Sequence, residues 1–110
     1  MNDNTTVRLK DLDLPNDLKK LSIPQCISLC REIRGILIDT VAENGGHLAS
    51  NLGTVELTMA IHRVFESPFD RIIWDVGHQA YTHKLLTGRL NDFSTLRTEG
   101  GISGFAKPTE

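Results

Sequence analysis

Arg71-Ile72-Ile73-Trp74-Asp75-Val76 runs directly into Gly77-His78-Gln79. Four of the first six residues, Ile72, Ile73, Trp74 and Val76, are β-branched or aromatic with little alternation, the pattern of a short strand covered on both faces. A buried strand must pair its backbone N–H and C=O groups. No second stretch of comparable character occurs in the sequence. Its partners are therefore expected from another chain or from sequence beyond Glu110. The fold class this predicts is α/β: the start of a parallel-sheet domain cut short, mostly helices with one clear strand. The alternative is a small helical domain in which 71–76 is an apolar connector.

Working outward, a helix is predicted from Ser50 or Asn51, both good N-caps, to about Glu66, with Pro68 just beyond. Leu52, Val55, Met59 and His62 line one side, and Leu57, Ile61, Val64 and Phe65 widen the apolar surface. A helix apolar over so much of its circumference is expected to be covered on several sides. Upstream, Ser22 and Gln25 have capping-box spacing and Pro24 suits a first turn. Cys26, Cys30, Ile33, Leu37 and Val41 then form the stripe of one buried face, and Asn44-Gly45-Gly46 ends the helix. Residues 1–21 read as a surface arm in which Asn16 or Asp17 caps a turn carrying Leu18 and Leu21. Downstream, a short helix is expected from Ala80 to Leu86, stopped by Thr87-Gly88. One more turn is anchored by Phe93 and Leu96, before a glycine-rich end at 100–104. Residues 22–110 thus read as an incomplete α/β core behind the arm.

The chain has 110 residues, 39% hydrophobic and 24% charged, which fits one modest globular domain. Net charge is −2 with the signs interspersed, so neither a nucleic-acid stripe nor a polybasic membrane patch is expected. The longest wholly apolar run is three residues (Ile36 to Ile38), too short for a membrane span. The N-terminal segment lacks the apolar core of a secretory signal. Cys26 and Cys30, four apart on one helical face, read as small apolar groups of a reduced interior. A cytoplasmic location follows as the expectation.

Two histidines stand in glycine-rich turns. His47 follows Gly45-Gly46, and His78 follows Gly77 after the strand candidate. Ligands of open α/β folds bind outside the carboxyl ends of strands, where His78 would lie. Glycine lets the backbone approach a ligand, and imidazole is the side chain suited to proton transfer near neutrality. The competing reading is that each is a hydrogen-bonding loop residue. His62 reads as packed or surface polar within its helix, and Glu56 as a helix-surface carboxylate. His78 and His83 are five apart, not the four that puts two imidazoles on one helical face, so no metal site is predicted.

The stretch Gly45-Gly46-His47-Leu48-Ala49-Ser50-Asn51-Leu52-Gly53-Thr54-Val55-Glu56-Leu57-Thr58 resembles a signature block of the 1-deoxy-D-xylulose-5-phosphate synthase family. That family is transketolase-like and thiamine-diphosphate-dependent. A second block resembles it more closely still: Ser67-Pro68-Phe69-Asp70, Ile73 to Tyr81, His83-Lys84 and Leu86 to Arg89. Gly100-Gly101-Ile102-Ser103-Gly104-Phe105 is also similar, and the likeness covers essentially the whole chain. It implies the N-terminal, diphosphate-side part of the thiamine-diphosphate-binding domain. It further implies an enzyme that condenses pyruvate with glyceraldehyde 3-phosphate, releasing carbon dioxide, for isoprenoid, thiamine and pyridoxal synthesis. On this resemblance His78 is a cofactor contact, His47 a proton shuttle or acceptor contact, and Ser50 lies beside His47 near the thiazolium ring. Thr82 stands where many members carry proline. The family's Gly-Asp-Gly motif and its downstream Asn, which hold Mg2+ and the diphosphate, have no counterpart in this sequence, and neither does its activating glutamate. The resemblance therefore places the metal ligands outside this chain, implies a homodimer at full length, and predicts that the 110 residues alone are inactive. Two alternatives remain: another transketolase-like thiamine enzyme, or a non-catalytic module that docks onto a full-length synthase.

Overall fold

A computed structural model describes residues 6–67 and 69–110. Helix α1 spans Ile23–Asn44. The Ser22 hydroxyl accepts from the Gln25 N–H, and the Gln25 carboxamide accepts from the Ser22 N–H, so two orphan donors of the first turn are satisfied reciprocally. The helix ends where Gly45, at φ +79°, donates its N–H to the Val41 carbonyl. Its inward stripe is Cys26, Leu29, Cys30, Ile33 and Leu37, with Val41 packed at the edge.

The helix expected over 51–66 is two. α2 spans Leu48–Leu52 with His47 as its N-cap, and α3 spans Val55–Val64. Asn51 therefore lies inside α2 and not at its start. Helix α3 buries Val55, Thr58, Met59 and His62 and leaves Leu57, Val64 and Phe65 exposed. It is covered along one face, not on several sides.

Helix α4, Tyr81–Leu86, is buried at every residue. It forms the centre of the molecule, against α1, α3 and the 3-10 turn Leu90–Thr95. Phe93 and Leu96 enter the same core. The segment before α1 forms 3-10 turns at Leu9–Asp11 and Asn16–Lys20 and sends Leu9, Leu18 and Leu21 inward. Polar ties hold it down: the Glu32 carboxylate accepts from the Leu9 N–H, and Lys19 donates to the His62 and Phe65 carbonyls at the end of α3. The N-terminal five residues and Pro68 lie outside the described residues.

The α/β expectation is overturned. No strand occurs among the described residues, and 71–74 has no regular secondary structure. A strand is a property of a pair, and every other segment here is helix, turn or loop. The stretch also fails to bury both faces: Ile72 and Trp74 turn inward to half-burial, whereas Ile73 is 90% exposed. It is the apolar connector between α3 and α4, ended by Val76 at φ +63° and Gly77 at φ +101°.

Candidate functional site

His47 and His78, 31 positions apart in sequence, meet in space. Their ring centroids are 5.0 Å apart with planes at 63°, an edge-to-face contact. His47 is exposed and His78 half-buried. Neither loop could take its course with an ordinary residue at the glycine before the histidine. Gly46 has φ +135°, and a Cβ there would lie 2.7 Å from the Tyr81 hydroxyl. Gly77 has its backbone against Ala106, 3.2 Å from where a Cβ would sit.

The two loops are joined by a residue that sequence reasoning assigned a different task. The Asn51 carboxamide is fully buried. It donates to the His47 carbonyl at 2.6 Å and to the His78 carbonyl at 2.8 Å, and its oxygen accepts from the Tyr81 N–H at 2.9 Å. Tyr81 completes the joint by accepting from the His47 N–H at 3.3 Å. The signal that could have found Asn51 is its position four residues after His47, one helical turn from the N-cap carbonyl. Ser50, the third predicted site residue, sits half-buried in the middle of α2. Among the described residues its hydroxyl bonds neither imidazole.

The other two histidines form a second, unlike pair. His62 Nε2 and His83 Nδ1 lie 2.8 Å apart in a stacked arrangement, both rings buried. At that distance one nitrogen donates and the other accepts, so the contact requires that at least one of the two rings be neutral. Burial lowers both pKa values, that of His62 to about 4 with the neighbouring His83 and Lys19 adding to the effect. His83 also forms one wall of a groove of about 640 Å³ between 70–74 and 106–110, which the His47–His78 pair does not line. Cys26 and Cys30 are free, buried thiols, and burial, followed by the charge of Glu56, pushes Cys30 up to about 11. Neither has the thiolate character of a nucleophile. Glu56 pairs with Arg34 across the α1–α3 cleft.

Two exposed or half-exposed imidazoles in contact, on loops opened by glycine, can move a proton and hydrogen-bond a polar ligand. Among the described residues no group of three His, Cys, Asp or Glu side chains is placed to hold a metal ion, and no helix is long and apolar enough to cross a membrane.

The sequence is similar to known proteins over nearly its whole length. The family model for 1-deoxy-D-xylulose-5-phosphate synthase matches residues 9–110. The enzyme of that name from Dictyoglomus turgidum is 66% identical over 93% of this chain. Those from Syntrophomonas wolfei and Thermus thermophilus are 62% and 60% identical over the same share. The chain spans 16–17% of the length of these relatives. With every residue from Leu9 onward inside the match, including both histidines, Asn51 and the connector between α3 and α4, the chain belongs to the 1-deoxy-D-xylulose-5-phosphate synthase family.

Proposed function

We propose that this chain supplies the His47–His78 part of a thiamine-diphosphate site in a synthase that joins pyruvate to glyceraldehyde 3-phosphate with loss of carbon dioxide. The observation that carries the reading is the contact of the two imidazoles at 5.0 Å within a chain of this family. When bound, thiamine diphosphate supplies the electron sink for decarboxylation of a 2-oxo acid. The donor set suits that cofactor's polar surroundings: two imidazoles, each able to donate or accept, with glycine beside each to admit a ligand. His78, the more buried of the two, is assigned to hold the cofactor. His47, facing solvent, is assigned to hold or move a proton at the acceptor aldehyde, with Ser50 one turn along α2. The metal half of such a site does not fit the described residues, since no acidic cluster is among them. Magnesium is therefore assigned ligands other than these. The same reading implies a homodimer at full length and a cytoplasmic setting.

The test is a chimera in which residues 9–110 replace the matching segment of the Dictyoglomus turgidum enzyme. His47→Ala is expected to lower kcat by ~10²–10⁴-fold with cofactor affinity nearly intact. His78→Ala is expected to weaken cofactor binding and slow turnover with it. Near wild-type turnover for both His47→Asn and His78→Asn would remove the imidazoles from the chemistry, because Asn can hydrogen-bond but cannot shuttle a proton.

A further inference from the structure

We infer that Asn51 is the positioning residue that keeps the His47 and His78 imidazoles in contact. Its catalytic consequence rests on the function proposed above; its geometric half does not. The carboxamide is fully buried at the crossing of three segments: the loop 45–47, the loop 77–80 and the start of α4. Both its amide protons are used, one on the carbonyl of each histidine, and its oxygen takes the Tyr81 N–H. The two histidine residues are thus tied through one planar group at the carbonyls next to their own Cα atoms.

No other side chain of this length offers two donors and an acceptor in one plane. Aspartate would turn an acceptor oxygen toward two carbonyl oxygens. Alanine would remove the side-chain partner that both carbonyls and the Tyr81 N–H have now. Positioning of this kind matters because a misplacement of about 1 Å in a reacting group can cost ~10²-fold in rate. A neighbouring tie provides the comparison. Thr54 Oγ1 donates to the Gln79 and Asn51 carbonyls at 3.2 Å, fastening the same loop without touching either histidine.

The test has two readouts. In the 110-residue chain, nuclear Overhauser contacts between the ring protons of His47 and His78 are expected in the wild type and in Thr54→Val. They should be lost in Asn51→Ala and Asn51→Asp while the rest of the spectrum stays dispersed. Ring contacts that persist in a folded Asn51→Ala chain overturn the inference. Should Asn51→Ala fail to fold alone, the chimera decides: kcat is expected to fall by ~10–100-fold for Asn51→Ala and to stay within about twofold for Thr54→Val. Equal losses in the two variants would reduce Asn51 to general loop support and overturn it. If ring contacts vanish in Asn51→Ala while His47→Ala and His78→Ala leave the chimera fully active, the proposed function fails and the geometric inference stands.

Discussion

The four histidines divide into two pairs with opposite surroundings, one open to solvent and one buried. His47 and His78 each carry a glycine immediately before them, a local mark that singles them out. His62 and His83 carry none, and their contact is made by folding across 21 residues, so no spacing rule could join them. That buried pair gives the chain a specific acid response. His62 is lowered from its ordinary value of 6.5 to about 4, mainly by burial. His83 is lowered by burial too, although a hydrogen bond to the Glu110 backbone and that residue's carboxylate pull the other way. A folded-state pKa below the unfolded one favours the neutral ring in the fold. The stabilisation is therefore fully present above about pH 6.5 and is lost as pH falls toward about 4. Comparison with His62→Gln, which keeps a hydrogen bond but does not titrate, isolates the effect. In urea titrations the wild type should lose about 2–3 kcal/mol more than His62→Gln between pH 7 and pH 4. Parallel pH profiles would mean that the pair is not desolvated in solution.

At the scale of elements, helix ends written in local chemistry could be read and pairings could not. The Ser22–Gln25 box and the Gly45 terminus fixed α1 to within a residue. The apolar pattern of 51–66 passes straight through the junction of α2 and α3, because Gly53 keeps a helical conformation (φ −70°, ψ −16°) and Thr54 becomes the cap of α3. Periodicity is blind to a break that hardly shifts the phase. For 71–76 the composition of a strand was present, but a sheet needs a second segment, and composition says nothing about whether one exists. The first turn of α4 carries a visible imperfection. Thr82 is fully buried and its hydroxyl finds no hydrogen-bond partner among the described residues. Thr82 is the second residue of α4, where a backbone N–H has no partner within the helix. Pro24 holds the same place in α1. Thr82→Pro removes the orphan hydroxyl and restricts the unfolded chain. It is expected to raise stability by about 1 kcal/mol in urea denaturation. A lower midpoint would show that the α4 entry does not tolerate the ring.

Across the whole molecule, the core is drawn around α4, yet large apolar side chains remain outside it. Phe69 is 92% exposed, and Val64, Phe65, Ile73 and Val76 stand exposed near it in sequence. The paired imidazoles are likewise open, with no metal-holding cluster among the described residues. The 110-residue chain by itself is accordingly expected to give no measurable synthase turnover and to bind thiamine diphosphate weakly at most. Tight, magnesium-dependent binding in a calorimeter would overturn that assignment of the metal ligands. The centre of the molecule also carries a charge. Lys84, in α4, has no exposed surface; its ammonium donates to the Phe105 carbonyl at 2.7 Å and pairs with the Glu110 carboxylate. Burial lowers its pKa, and the Glu110 contact opposes the shift. An amine so enclosed cannot meet an acylating reagent until residues 105–110 lift away. In a timed acetylation read by peptide mass, Lys20 on the surface should react at once and Lys84 last. The delay measures how often the segment 105–110 opens, and adding urea below the unfolding midpoint should shorten it. Equal rates at the two lysines would mean that the segment is not seated on α4 in solution.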